Sequence, residues 1–129
     1  MTRQQLLSDA KNFVFQLKKE ERRSINHYAS FADQVIGLLN NGQVSSREEI
    51  LNYTRISYSR PRMNRQWRTF GNVLEKNLRS NMKKDELLNF FGYLKRLLTI
   101  EGKKEFEERQ KAMKGSFKST SKQKRMRRQ

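Results

Sequence analysis

Apolar residues recur at intervals of three and four along almost the whole chain of 129 residues, and no stretch alternates in the manner of a strand. This spacing puts apolar side chains on one face of a helix. The first such row consists of Leu6, Ala10, Phe13, Val14 and Leu17. The pattern predicts an all-α fold, a compact bundle of five or six helices.

The second apolar row runs from Ile25 to Leu39, after the polar stretch KKEERR. Two separate helices with Ser24 as a cap and one long helix both fit the pattern. The following Asn-Asn-Gly, residues 40–42, predicts a helix end, because Asn and Gly tolerate the left-handed conformation found there.

Three further helical segments follow. Ser45, Ser46 and Glu49 form a capping-box pattern that opens a short helix fading near Ile56. Pro61 suits the first turn of the next helix. That helix is predicted for residues 62–79, with a break at 80–81, and the next for 84–100. Gly102 is expected to interrupt the latter, and a charged helical extension should cover 103–114.

The sequence from Gly115 onward has six basic residues, no acid and little to bury. It predicts a disordered basic tail, residues 115–129, attached to a helical domain of residues 1–114.

The chain carries 29 Lys and Arg residues against 13 Asp and Glu, a net charge of +16. Because such a charge repels itself, we expect a polyanionic partner, and nucleic acid is the commonest one. With no cysteine, disulfides and thiolate metal sites are excluded. Neither a secretory signal nor a transmembrane segment is recognisable, so we expect a cytoplasmic protein without a membrane partner.

The helix predicted for residues 62–79 is strongly two-sided. Its apolar side carries Met63, Trp67, Phe70, Leu74 and Leu78, so Trp67 is expected in the core. The opposite side carries Arg65, Arg68, Asn72, Lys76 and Arg79, and Glu75, at the edge of this row, is the only acid on the helix. Neighbouring cations on a helix surface repel. With no carboxylate nearby in sequence to relieve them, the row predicts an external anion.

Arginine also dominates the stretch "RISYSRPRMNRQWRTF", residues 55–70, which has five arginines and no acid. The guanidinium fork suits bidentate phosphate contacts, and Tyr58 has a ring on which an unpaired base can stack. The predicted binding residues are Arg55, Tyr58, Arg60, Arg62, Arg65, Arg68, Asn72, Lys76 and Arg79, with Lys122, Lys124, Arg125, Arg127 and Arg128 in the tail.

No catalytic signature is recognisable. His27 is the lone histidine, and no acid or cysteine pattern near it indicates a metal site or a catalytic dyad. The string GKKEF at Gly102 lacks the residues of a phosphate-binding loop. We therefore expect a non-enzymatic protein without catalytic residues, metal, cofactor or small-molecule substrate.

One alternative is a helix-turn-helix DNA-binding regulator. The segment "SSREEILNYTRISYSRPRMNRQWRTF" resembles that motif, with helices near 46–56 and 62–79. The chain departs from the motif at Leu51 and Arg55, where a small residue and a glycine are usual, and at Pro61 in the second helix.

The other resemblance lies in "RTFGNVLEKNL…LLNFFGYLKRLL", two amphipathic helices with Arg and Lys on their outer sides. In size, helical layout and charge the chain resembles the small subunits of multisubunit CRISPR effector complexes of antiviral defence. The resemblance covers residues 2–114. It implies a helical ribonucleoprotein subunit that assembles with other subunits and contacts a nucleic-acid strand through Arg65, Arg68, Lys76 and Arg79.

A third interpretation is a scaffold protein whose basic surface docks on an acidic protein. We expect nucleic-acid binding through the phosphate backbone within a ribonucleoprotein complex, with single strands or hybrids favoured. The sequence leaves the choice between RNA and DNA open.

Overall fold

A computed structural model of the chain describes residues 2–21, 24–25, 27–57 and 64–128, without the side chains of 57, 64 and 113–128. Its five helices are α1 (Arg3–Glu20), α2 (Tyr28–Asn40), α3 (Arg47–Ser57), α4 (Asn64–Asn77) and α5 (Lys84–Arg128). The described residues contain no strand. The all-α bundle predicted from the apolar spacing is confirmed. None of the described helices is long and apolar enough to cross a membrane.

The connection between α1 and α2 settles whether the first two apolar rows share a helix. They do not: Glu21 leaves the helical conformation, with φ −98° and ψ 110°. Ser24 is not the cap of α2, which begins only at Tyr28. Its hydroxyl instead donates a hydrogen bond to Glu105 of α5, at 2.8 Å. Polar contacts with α5 thus hold this connection in place.

Helix α5 differs most from expectation. The predicted interruption at Gly102 is wrong, because the helix continues through this buried residue. Gly102 and Ala29 of α2 line one surface pocket between the two helices. The predicted domain boundary at 114–115 falls inside α5. The disorder expected for the tail falls on residues 115–129, which lie outside the described side chains.

Local signals at the other helix ends are confirmed. After α2, the Gln43 N–H donates to the Leu38 carbonyl and the Gly42 N–H to the Leu39 carbonyl, with Gly42 at φ 73°. This is a Schellman motif. At the start of α3, Ser46 Oγ accepts from the Glu49 N–H at 3.3 Å. The break after α4 contains Asn81 at φ 63°.

Polar contacts fix how the helices run. Asp9 and Glu21 of α1 contact Arg79 and Arg65 around α4, so these helices are antiparallel. Helices α3 and α4 are antiparallel as well. Helix α5 packs on α1 and α2. It runs parallel to α1, as the contacts Phe13–Phe90 and Lys18–Glu101 indicate. It runs antiparallel to α2, as the contacts Ser24–Glu105 and Asp33–Lys95 indicate.

An aromatic cluster supplies much of the core. The rings of Phe31 and Trp67 stack with centroids 4.1 Å apart, and Phe13, Tyr28 and Phe70 pack around them. Such pairs contribute about 0.5–1.5 kcal/mol each beyond the area they bury. They explain how a chain with 34% hydrophobic residues closes a core.

Candidate nucleic-acid interface

The two-sided character predicted for α4 is present. Trp67, Phe70, Leu74 and Leu78 are buried, and Met63 lies outside the described residues. On the other side an exposed set, which we call the α4 row, consists of Arg65, Arg68, Asn72, Lys76 and Arg79. The row is therefore at the surface, as the helical wheel predicts.

Carboxylates of α1 neutralise most of the α4 row, so the assumption that no local acid relieves these cations is wrong. The Arg79 guanidinium donates two hydrogen bonds to Asp9, at 2.7 and 3.2 Å. These contacts raise the pKa of Arg79. The Lys76 ammonium lies 3.1 Å from Glu20. Both cations are paired within the chain.

Arg65 has a third acidic partner, of a different kind. Its Nη2 donates to both oxygens of Glu21, at 3.3 and 3.4 Å, and the Glu21 side chain is only 1% exposed. The Tyr28 hydroxyl donates to the same carboxylate at 2.6 Å. Burial, and then this hydrogen bond to Glu21, raises the pKa of Tyr28. Arg65 therefore helps to compensate a buried charge.

Only Arg68 remains as a cation of the row without a carboxylate partner in the described part of the chain. Exposed ion pairs contribute little stability, about 0–1 kcal/mol, so a phosphate can compete with a carboxylate for Lys76 or Arg79. Each such exchange, however, leaves an acid of α1 facing the polyanion. The row is therefore a much weaker anion site than its sequence indicates.

The remaining predicted binding residues divide into two groups. Arg55, in the last turn of α3, is exposed and has no acidic partner among the described side chains. The others lie outside the described side chains: Tyr58, Arg60, Arg62, Lys122, Lys124, Arg125, Arg127 and Arg128.

The positive charge is unevenly distributed along the sequence. The described side chains include 18 of the 29 basic residues and all 13 acids, a net charge of only +5. The other eleven basic residues belong to three acid-free stretches, which we call the basic segments: residues 22–23, 58–63 and 114–128. These segments therefore hold most of the +16.

In the chain, two basic segments directly adjoin one end of the bundle, and the third follows that end after residues 107–113 of α5. At that end α1 and α3 end, α2 and α4 begin, and α5 extends beyond its neighbours; we call this the junction end, residues 18–21, 24–25, 27–28, 55–57, 64–65 and 101–105. Contacts join these pieces, because Glu21 reaches Tyr28 and Arg65, and Glu105 reaches Ser24. Every side chain from Phe106 to Ala112 is exposed.

Two acids bind parts of the junction end together. Glu105 accepts from the Ser24 hydroxyl and from the Ile25 N–H, at 2.8 and 3.1 Å. Glu101 binds Lys18 and Lys104, and the hydrogen bond from Lys18 lowers its pKa. Both carboxylates are thus engaged in holding α5 to the connection between α1 and α2.

His27 lies between these charged groups. Its Nε2 is buried and has no hydrogen-bond partner among the described residues, and its ring centroid is 4.3 Å from that of Tyr28. Burial, assisted by the charge of Arg65, lowers the pKa of His27, although Glu21 and Glu105 oppose the shift. Burial therefore disfavours the charged form of this imidazole.

Helices α3 and α4 do not cross in the manner of a helix-turn-helix. Six residues separate them, and they contact each other along their lengths. Arg47, at the start of α3, donates to the carbonyls of Leu78 and Glu75 at the end of α4. At the other end Tyr53 packs on Trp67 with centroids 5.4 Å apart. A recognition motif instead has a turn of about 3–4 residues and helices crossing at about 90–120°.

Sequence reasoning missed the acidic partners of the α4 row. The available signal was a row of polar side chains at helical spacing beside the apolar row of α1, namely Asp9, Gln16 and Glu20. Among the described residues no three His, Asp or Glu side chains form a group that could hold a metal ion. Comparison with protein-family models, curated proteins and solved structures finds no match.

Proposed function

We propose that this chain is a non-enzymatic nucleic-acid-binding protein that holds a phosphate backbone through the basic segments at the junction end. The observation that supports this proposal is the distribution of charge. Eleven basic residues without a single acid adjoin one end of a bundle whose described part has a net charge of only +5. A polyanion is the ligand that relieves such a concentration of like charge.

The binding mode follows from the same distribution. Seven of the eleven residues are arginines, whose planar fork donates hydrogen bonds to phosphate oxygens in pairs. Backbone contacts of this kind position a strand without reading its bases. We therefore expect affinity that falls steeply with salt and differs little between sequences.

We further propose that the protein acts in the cytoplasm as a subunit of a ribonucleoprotein complex, such as a CRISPR effector. The resemblance in size, helical layout and charge is the basis for this part of the proposal. The exposed Phe15, Ile100 and Phe106 are available for contacts beyond the bundle. A DNA-reading regulator is less well supported, because α3 and α4 form an antiparallel pair.

The experiment is fluorescence-anisotropy titration of the full chain with single-stranded RNA, single-stranded DNA, an RNA–DNA hybrid and duplex DNA of matched length, at several salt concentrations. The proposal predicts that single strands or the hybrid bind best, with a slope of log affinity against log salt of several units. Tight binding to one duplex sequence would instead support a DNA regulator. No binding near physiological salt would contradict the proposal and favour an acidic protein partner.

A further inference from the structure

Phe15 is unusual among the aromatic side chains of this protein because it lies outside the core. It lies on the outer side of α1 and is 62% exposed. Lysines surround it at helical spacing: Lys11 four residues before, and Lys18 and Lys19 three and four residues after. The Lys19 ammonium is 4.4 Å from the centroid of the Phe15 ring. An exposed π face is thus combined with cations on one surface.

A groove between α1 and α5 continues this surface. It has a volume of about 290 Å³. Its apolar lining consists of Val14, Phe15 and Leu97, and its polar lining of Lys11, Lys18 and Glu101. Lys18 is engaged by Glu101, whereas Lys11 and Lys19 have no acidic partner among the described side chains. The groove therefore joins an apolar floor to Lys11, and Lys19 lies next to it over the Phe15 ring.

We propose that Phe15 is a stacking platform for an unpaired base of a single-stranded nucleic acid, with Lys11 and Lys19 on the adjoining phosphates. Stacking on an exposed ring tolerates any base, because every base has a π face. Duplex bases have no free face to offer. The inference rests on the proposed function and narrows its ligand to single strands. Charge favours this occupant over an apolar protein surface, which would leave Lys11 and Lys19 unpaired.

The chain supplies its own matched control in Phe106. This residue is 61% exposed and also lies on a helix surface, that of α5. Its neighbours in sequence include Glu105, Glu107 and Glu108, which repel phosphates. A phosphate-bearing ligand should therefore use Phe15 and avoid Phe106, whereas an apolar protein partner has no such preference.

The test compares wild-type protein with Phe15→Ala, Phe15→Trp and Phe106→Ala. Each is titrated against a single-stranded oligonucleotide carrying 2-aminopurine and against its duplex, and sedimentation reports self-association. We expect Phe15→Ala to weaken single-strand binding about tenfold and to leave the salt slope and duplex binding unchanged. Phe15→Trp should keep the affinity of the wild-type protein and quench the fluorescence of 2-aminopurine. Phe106→Ala should bind as the wild type does.

The outcomes separate the two proposals. If wild-type protein binds no nucleic acid, the proposed function fails and the platform with it. If wild-type protein binds and Phe15→Ala binds equally well, only the platform is overturned. The platform is also overturned if Phe15→Ala and Phe106→Ala lose the same nucleic-acid affinity. It is likewise overturned if Phe15→Ala loses self-association and keeps its nucleic-acid affinity. Either result would assign the groove to a protein interface.

Discussion

The α4 row and the basic segments look alike in sequence but differ in their surroundings. In the α4 row, three of the four cations have carboxylate partners from α1. The basic segments contain eleven cations and no acid. A helical wheel shows which side chains lie on one face of a helix. Whether their charges are paired depends also on the neighbouring helix. The α4 row is engaged by neighbouring carboxylates, and the candidate phosphate site therefore moves to the junction end.

The largest effect is expected from the third basic segment. Replacing Lys122, Lys124, Arg125, Arg127 and Arg128 by glutamine should lower single-strand affinity about a hundredfold near 0.15 M salt. Each lost phosphate contact lowers the salt slope by about 0.7, so the slope should fall by about 3.5. Anisotropy titrations at four salt concentrations measure both. An unchanged slope in a folded variant would exclude this segment from the interface.

A second large effect is expected on the free energy of unfolding and not on nucleic-acid affinity. Glu21→Ala removes the buried acceptor of the Tyr28 hydroxyl and leaves that donor unsatisfied. We expect a loss of about 2 kcal/mol in the free energy of unfolding. Most of this loss comes from the buried Tyr28 hydroxyl that is left without an acceptor, because the ion pair with Arg65, which is 55% exposed, contributes little. Urea unfolding measures it, with Glu21→Gln as the milder control. Wild-type stability in both variants would show that the carboxylate does not hold the junction end.

Removing the acids of α1 should turn the α4 row into a binding surface. Asp9→Asn with Glu20→Gln frees Arg79 and Lys76 from their partners. Affinity for a single strand should then rise about tenfold, with a salt slope steeper by about 1.4, as two phosphate contacts are gained. Glu48→Gln with Glu49→Gln, on α3, adds the same charge elsewhere and is the control. Equal gains from both pairs would show that only net charge matters.

The smallest effect concerns pH. Because burial lowers the pKa of His27 below its ordinary value near 6.5, the unfolded chain binds this proton more readily than the folded one. Stability is therefore complete above pH 6.5 and declines as the pH falls below it. Groups from α1, α2, α4 and α5 face the imidazole: Glu21, Tyr28, Arg65 and Glu105.

Urea unfolding at pH 7.5, 6.5 and 5.5 measures this decline, and His27→Gln should flatten it. The lowered pKa of Glu101 acts in a separate window, where stability is lost as the pH falls below about 4.5. A decline between pH 7.5 and 5.5 that persists in His27→Gln would assign the effect to another group.

The helices were predictable because their signals are local. Apolar spacing located all five, and Asn-Gly at residues 41–42 and Ser46 with Glu49 marked two of their ends. Gly102 was misjudged, since a glycine weakens a helix by only about 1 kcal/mol and the packing of α5 on α1 and α2 outweighs that cost.

The candidate site was less predictable because its charges are relieved across helices. Asp9 and Arg79 are 70 residues apart in sequence, and Glu20 and Lys76 are 56 apart. Only the antiparallel packing of α1 and α4 brings them together. Phe15 lies outside the apolar row of α1, but the groove that it lines depends on where α5 lies and could not be predicted.

The most direct test removes the same amount of charge from both regions. Lys76→Gln with Arg79→Gln and Arg22→Gln with Arg23→Gln each lower the net charge from +16 to +14. The salt slope of single-strand binding is then measured for both variants and the wild type. The account predicts that the slope falls by about 1.4 in the Arg22 and Arg23 variant and stays unchanged in the other. Equal falls, or a larger fall for Lys76 and Arg79, would contradict it and return the interface to α4.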